Sequence, residues 1–224
     1  MIEIVRKTAA RSFRVVMLAG ALGALAGCQL GGVVADKAIT PTVNAKYVPN
    51  KKDSMLVLVE SYNLSLDSGI ESQHMALTLG RSLRDDKIAT TIDPQNLERL
   101  RDADPDQYRK MSIAEIGRRV GARQVLYVHI WRAEIVKPPG SGQMRGHIEA
   151  IVKVVDSATG DTRWPTDASS EAVQITTAWI PDSSGTTDAD LRARMADQMA
   201  QDIGRLFHDY HPDEDEPAPK INLD

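Results

Sequence analysis

Apolar residues along this chain form short runs and helical stripes that are separated by turn residues. Residues 55–60 (MLVLVE) are a nearly continuous apolar run between polar neighbours, which predicts a strand buried on both faces. Residues 70–84 carry apolar side chains at helical spacing and predict a helix. Residues 87–92 are rich in β-branched side chains and precede Pro94, which predicts a second strand and then a short helix.

A capping pattern marks the start of the next helix. At the spacing of Ser112 and Glu115, the serine oxygen can accept from the Glu115 amide while the carboxylate returns to the serine amide. Gly121 suits the left-handed position that ends such a helix. Residues 124–136 then predict a long strand. Its second half has polar side chains on one face, so we expect it to start centrally and to run outward past the covering helices.

The last part of the chain predicts antiparallel strands and a final helix. Residues 138–142 (PPGSG) form a loop, and residues 146–156 alternate between apolar and polar positions as a half-buried strand does. Residues 156–160 (DSATG) have turn chemistry and lead to further strand segments. Thr187 can cap a helix from Asp188 to about Tyr210, with an apolar stripe along one side.

These elements predict an α/β (α+β) fold. The order β-α-β-α-β-β-β-α indicates a mixed sheet of about five strands with helices packed against it. The chain has 224 residues, of which 42% are hydrophobic, and this is ordinary globular composition for one domain.

The N-terminal residues follow a different pattern. Residues 1–14 contain four basic residues and one acidic residue, and residues 15–27 are an apolar run too short for a transmembrane helix. The run ends in Leu25-Ala26-Gly27-Cys28, and Cys28 is the only cysteine of the chain. This segment resembles the signal peptide and lipobox of bacterial lipoproteins. The alternatives are a cleaved secretory peptide or a short membrane anchor, each with an incidental cysteine.

The resemblance to bacterial lipoproteins implies a thioether diacylglycerol on Cys28 and a further acyl chain, such as palmitate, on its amine. Several acyl chains hold a protein durably on a membrane, at about 0.8 kcal/mol per buried methylene. In the Gram-negative sorting rule, Gln29 after the cysteine favours the outer membrane. The resemblance thus implies a protein of the cell envelope, anchored in the outer membrane and facing the periplasm.

Four segments follow from this interpretation. We predict a signal peptide over residues 1–27, a lipidated cysteine and tether over 28–50, one domain over 51–211, and an acidic disordered tail over 212–224. Loss of the signal peptide changes the net charge from −4 to −7, because it removes four bases and one acid. The chain has no basic stripe with interleaved aromatic residues, so a nucleic-acid partner is not expected.

The mature domain carries three further motifs. Residues 116–128 (IGRRVGARQVLYV), 154–160 (VVDSATG) and 203–210 (IGRLFHDY) resemble lipoproteins of planctomycete-type bacteria. The order of elements and the turn before Trp164 also resemble, more distantly, the small α/β domain of the Tol-system propeller protein and the curli-secretion lipoprotein. These resemblances imply the fold and the envelope location, and no activity. Pore assembly like that of the curli lipoprotein is less suitable, because the long predicted hairpin is apolar on both faces.

The chain has no catalytic motif that we can identify. Ser141 lies between two glycines but lacks the strand-to-helix context of a nucleophile elbow, and Cys28 is used by lipid. His129 lies within an apolar strand and is expected to be structural. His208 and His211, with Asp213 and the other acids of the tail, would share a helix face if the helix continued, and could bind a divalent ion. This is the alternative: a metal-binding or hydrolytic envelope protein.

The remaining candidates are surface residues. An arginine group around the Gly121 turn could bind an anion, although a solvated, salt-bridged face is the simpler interpretation; its members are Arg81, Arg84, Arg118, Arg119 and Arg123. An exposed tryptophan at the end of a strand would suit partner binding. The sequence therefore predicts a non-enzymatic interaction or accessory protein without cofactors. We expect it to bind an envelope protein, or to form homo-oligomers, through a sheet edge or the 138–142 loop.

Overall fold

The computed structural model describes residues 42–61, 68–167 and 170–212. The chain divides into two compact units. The larger contains residues 44–210, and the described part of the smaller is residues 42–43 and 211–212. Residues 44–50, which sequence patterns assign to the tether, thus belong to the larger unit. There the Tyr47 ring packs against Phe207, with 6.2 Å between the ring centroids.

Helices and strands alternate in the first half of the larger unit, and strands follow one another in the second. The helices are α1 (Ser68–Asp85), α2 (Pro94–Ala103), α3 (Pro105–Tyr108), α4 (Ile113–Val120) and α5 (Asp188–Arg205). The strands are β1 (Ser54–Ser61), β2 (Thr90–Thr91), β3 (Gln124–Val136), β4 (Gln143–Asp156), β5 (Thr162–Trp164), β6 (Glu171–Thr176) and β7 (Ile180–Pro181).

One mixed sheet joins all of the described strands, in the order β2-β1-β3-β4-β5, with β6 and β7 also paired to β4. Strand β1 is parallel to β2 and β3, whereas β4 is antiparallel to β3 and to its three short neighbours. The predicted α/β class with a mixed sheet is therefore confirmed. The described strands number seven rather than about five, since three separate short strands share the outer edge of β4.

The sheet is buried between two helical layers at its β1 end. Side chains of β1 alternate between the layers: Val57 and Val59 face α1 and α5, whereas Leu56 and Leu58 face α2, α3 and α4. The first layer buries Met75, Leu79 and Leu83 of α1 with Met195, Met199 and Ile203 of α5. This two-sided burial explains why β1 is a nearly continuous apolar run.

Three local predictions need correction. The second strand covers only residues 90–91, and the final helix ends at Arg205 instead of near Tyr210. It ends there because the Leu206 carbonyl accepts from the amides of Lys46 and Tyr47, at 2.8 and 3.0 Å. At α4, Ser112 Oγ accepts from the Glu115 amide as predicted (3.2 Å), but the Glu115 carboxylate pairs with a side chain of its own helix, Arg119.

The turn after β4 is tied to the start of β1 by Arg163. The guanidinium donates to Asp156 Oδ2 from Nε (2.9 Å) and Nη2 (2.6 Å), and to Asp53 Oδ2 from Nη1 (2.8 Å). Asp156 Oδ1 meanwhile accepts from the turn amides of Ala158 and Thr159, at 2.7 and 3.1 Å. We call this set of residues the Arg163 clasp. The bond to Arg163, helped by the two amides, lowers the pKa of Asp156.

The first prediction concerns the clasp. Asp156→Asn should lower the free energy of unfolding by about 1–3 kcal/mol near pH 7, because it places an amide group against the donors of Arg163. The asparagine oxygen can still serve the turn amides. A depressed pKa stabilises the fold above the unfolded-state value and ceases to do so as pH falls through the folded-state value. The difference between the two proteins should therefore begin to shrink as pH falls below about 4 and should disappear once pH lies below the lowered pKa of Asp156.

Urea denaturation across this pH range measures the effect of the clasp. Asp161→Asn, on the exposed part of the same turn, is the matched control and should change stability little at any pH. Equal stability of Asp156→Asn and the unmutated protein near pH 7 would contradict the prediction, as would a difference that persists unchanged in acid.

A close contact between α4 and the sheet depends on Gly117. A Cβ there would collide with Ser157 Oγ and would lie 2.6 Å from Val125 Cγ2. Gly204 of α5 makes a useful comparison, because a Cβ there would lie at an ordinary 3.6 Å from Ser82 Oγ. The two helical glycines thus differ in the space that a Cβ would find around them.

The second prediction compares these two glycines. Gly117→Ala should destabilise the protein by about 1–3 kcal/mol, because overpacking outweighs the better helix propensity of alanine. Gly204→Ala should be neutral or slightly stabilising. Thermal or urea unfolding of both variants checks this, and equal stability of the two would show that α4 can move away from β3 at little cost.

Candidate interaction surface

One face of the sheet is not covered by the described helices at its β4 end. The buried cluster beneath α4 reaches Tyr127 of β3 and goes no further along that strand. Beyond it, Trp131 is 49% exposed and the Arg132 side chain 46% exposed. We define the outer face by Trp131, Arg132, Glu134, His147 and Glu149.

A β-bulge places two consecutive residues on the outer face. The pairing of β3 with β4 shifts between Ile130 and Arg132, so Trp131 is an extra residue in the ladder. Ile130 and Ala133 both lie in the core cluster although three positions separate them. Since side chains alternate along a regular strand, this spacing requires Trp131 and Arg132 both to point away from that core.

The charged side chains of the outer face hold one another in place. His147 Nε2 lies 2.5 Å from Glu149 Oε1, and His147 Nδ1 lies 2.9 Å from Thr176 Oγ1. Arg132 donates from Nη2 to Glu134 Oε1 at 2.7 Å, and its Nη1 lies 3.5 Å from Glu149 Oε1. Arg132 therefore contacts both acids: Glu134, two positions away on its own strand, and Glu149 on the neighbouring strand. A partner that covered this face would meet charges already oriented and paired.

Trp179, a second exposed tryptophan, lies beside Arg145 of β4. Arg145 alternates with the buried Met144 and therefore lies on the same side of β4 as His147. Its guanidinium carbon is 4.5 Å from the centroid of the Trp179 ring, and Trp179 is 42% exposed. Stacked in this way, the indole is oriented but still accessible, as interface anchors are, and we include Arg145 and Trp179 in the outer face.

Polar contacts continue on this face toward β1. Tyr127 donates to Glu60 Oε2 at 3.0 Å, and the Lys153 ammonium lies 5.4 Å from the centre of the Tyr127 ring. His129 is half-buried, with its ring 6.4 Å from that of Tyr127. This position is consistent with the structural role expected for His129 from the sequence.

The residues predicted as chemical sites are not brought together by the described structure. Cys28, the lipobox and Asp213 lie outside the described residues. His208 lies beyond the end of α5, and His211 belongs to the smaller unit, so helical spacing does not relate the two histidines. Among the described residues, no group of three or more His, Cys, Asp or Glu side chains could hold a metal ion. The predicted metal site involving Asp213 stays a prediction.

The arginines near the Gly121 turn do not converge on one point. Arg84 donates to Thr91 Oγ1 at 2.6 Å, and Arg118 donates to the Ser157 carbonyl at 2.8 Å. Arg123 pairs with Asp53 at 3.4 Å, and Arg119 with Glu115 at 3.5 Å. These separate partners favour a salt-bridged face over an anion site. Ser141 likewise has a local role, donating to the Pro138 carbonyl at 2.8 Å within the loop between β3 and β4.

Sequence patterns indicated part of the outer face. The sequence predicted that Arg132 and Glu134 share a polar face and that an exposed tryptophan would suit partner binding. It did not predict the bulge. Its signal is the spacing of Ile130 and Ala133, since two core residues three positions apart break strict alternation. The partner of Arg132 across the sheet, Glu149, was not apparent, because a register is required to place it.

Comparison with known proteins gives only distant similarities. Neither a protein-family model nor a curated protein matches the chain. Lipoprotein GNA1162 from Neisseria meningitidis is 15% identical, with a TM-score of 0.44 over 68% of this chain and 99% of that one. The PelC dodecamer from Paraburkholderia phytofirmans is 15% identical, with a TM-score of 0.42 over 75% and 96%. Hypothetical protein CT253 from Chlamydia trachomatis is 10% identical, with a TM-score of 0.39 over 68% and 95%.

The first of these proteins is described as a lipoprotein and the second as a dodecamer. The resemblances to planctomycete-type lipoproteins and to the Tol-system and curli domains stay predictions. No helix within the described ranges is both long and apolar enough to cross a membrane.

Proposed function

We propose that this protein is a lipid-anchored component of the cell envelope, of a non-enzymatic, accessory kind, whose outer face binds a protein partner. The partner is another envelope protein or a further copy of the chain. The observation that carries the proposal is a sheet face that no described helix covers and that combines paired charges with exposed tryptophans.

The lipid anchor is supported by the N-terminal sequence. A basic segment, a short apolar run and small residues all precede the only cysteine of the chain. Acyl chains on Cys28 would hold the domain at a membrane surface, and we propose the periplasmic side of the outer membrane. There the segment after Cys28 and the domain that follows it would meet other proteins of the envelope.

The binding role is supported by the composition of the outer face. Tryptophan, tyrosine and arginine are enriched among the residues that dominate interface energies, and this face presents Trp131 beside Arg132 and Trp179 beside Arg145. Arg132 lies within ion-pair distance of both Glu134 and Glu149, which reduces the cost of covering these carboxylates.

The third prediction tests the anchor. Cys28→Ser should abolish the incorporation of labelled palmitate and should release the protein from washed membranes, because no other thiol is present. Gly27→Ala, which keeps a small residue before the cysteine, is the matched control and should retain the label. Metabolic labelling and membrane fractionation of cells measure both effects. Membrane retention of unlabelled Cys28→Ser would instead indicate an uncleaved apolar anchor.

The fourth prediction tests the outer face. A photo-crosslinking amino acid at position 131 or 179 should capture one defined protein in intact cells, whereas the same residue at Leu77 should not. Leu77 is a matched position, since it is 40% exposed but lies on α1. For the captured partner, Trp131→Ala should raise the Kd about tenfold or more without lowering the Tm. Identical capture at all three positions would contradict a role for the outer face.

A further inference from the structure

A cleft opens at the edge of the sheet, between the two helical layers. Its volume is about 610 Å³, and α1 forms one wall while α2 and α3 form the other. The floor is the outer edge of β1, from Val57 and Val59 to Ser61. In open α/β sheets, ligands bind where parallel strands end. The cleft lies at the carboxyl end of β1, and its lining residues are separate in sequence from those that define the outer face.

Among the described residues, no strand pairs with the edge of β1 at the cleft. Strand β2 pairs only with Ser54 and Met55 of β1. The Ile92 amide, just after β2, donates to the Met55 carbonyl at 2.8 Å. Backbone groups of alternate residues in a parallel strand point to the same side. The N–H and C=O groups of Val57 and Val59 therefore face the cleft, and within the described residues no strand or loop bonds to them.

Two hydroxyl groups in the cleft also lack partners. Tyr108 is only 8% exposed, and its hydroxyl makes no hydrogen bond among the described residues. The same holds for Ser61 Oγ, which is shielded from solvent. Both residues line the cleft. A buried polar group without a partner is costly, so both hydroxyl groups can gain from a hydrogen-bonding group that enters the cleft.

The remaining polar lining residues are balanced in charge. Glu98 accepts a hydrogen bond from Gln73 across the cleft, and the Arg101 guanidinium carbon lies 5.2 Å from the centroid of the Tyr108 ring. The lining holds two acids, Glu60 and Glu98, and two bases, Arg101 and Arg109, so it does not select a strongly charged ligand. Recognition here therefore depends on the backbone of β1 and on the two hydroxyl groups.

We propose that this cleft binds an extended peptide segment of a partner protein, added as a strand to the open edge of β1. Strand spacing, sheet packing distance and rise per residue give a volume of about 160 Å³ per residue, so the cleft holds about four residues. The bound segment satisfies the backbone groups of Val57 and Val59 and offers a hydroxyl or amide side chain to Tyr108. This is strand addition, in which main-chain bonds give affinity and side-chain pockets give specificity.

The test uses a displayed library of random octapeptides. Peptides that bind the mature full chain in detergent are selected from it. We expect enriched peptides to shift the backbone amide resonances of Val57 and Val59. Methylation of one central peptide nitrogen, which removes a hydrogen-bond donor, should weaken binding at least tenfold. Val59→Pro should have an effect of the same size, because it removes an N–H that faces the cleft and not one that bonds to β3. Val59→Ala, which keeps the N–H, should bind the peptides like the unmutated protein.

Several results would overturn the proposal. These are a failure to enrich any peptide, and enriched peptides that are indifferent both to Val59→Pro and to nitrogen methylation. If Val59→Pro does not fold, the methylated peptide decides alone. Tyr108→Phe should reduce affinity for peptides that carry a hydroxyl or amide and should not affect the others. Trp131→Ala separates the two surfaces, since peptides that lose binding to this variant occupy the outer face and argue against the cleft.

Discussion

Strand β3 extends past the helices that cover one of its faces, and most features of this fold depend on that overhang. Its thirteen residues begin between two helical layers, where Val125 and Leu126 are fully buried on opposite faces. Past Tyr127 only the face toward α5 stays in the core. The other face of β3 and β4 must then be polar or be covered by a partner, because an exposed apolar sheet surface would be unfavourable in water.

The bulge at Trp131 reconciles this half-covered strand with the core. Without an extra residue, Ala133 would face outward and Glu134 would face the core. With it, Ala133 stays buried and Arg132 joins an ion-pair network with Glu134 and Glu149. The same extra residue presents Trp131 to solvent. Stability and the proposed binding role thus arise from one irregularity, as is common for bulges at the rims of sheets.

One edge of the sheet is paired with other strands and the other is mostly unpaired within the described residues, just as one face at the β4 end is covered by helices and the other is not. On one side, β5, β6 and β7 together cover almost the whole length of β4. On the other side, β2 covers only the first two residues of β1. Natural sheets protect open edges by shortening, charging or covering them. Here the edge is recessed between α1 and the α2–α3 pair, which prevents lateral association of whole sheets while it leaves room for a single extended segment.

Elements with a strong local pattern were predicted well from the sequence. The run in β1, the Ser112 cap, the left-handed Gly121 (φ 82°) and the start of α5 at Thr187 all match the structure. Predictions failed where a group formed a bond with a partner other than the one that the local pattern assigned to it, whether that partner was near or distant in sequence. Helix α5 ends early because the Leu206 carbonyl is taken by Lys46 and Tyr47, and Glu115 pairs with Arg119 instead of its capping serine.

The sequence by itself determined the order and type of the elements and the class of the fold, because hydrophobic period, capping residues and turn residues act over a few positions. It is also the whole basis for the proposed anchor at Cys28. Only the tertiary structure decided the Arg163 clasp, the outer face and the cleft. The bond from Arg163 to Asp53 spans 110 positions and that from Tyr127 to Glu60 spans 67. Such pairs are set by strand register and helix packing, which no local pattern encodes.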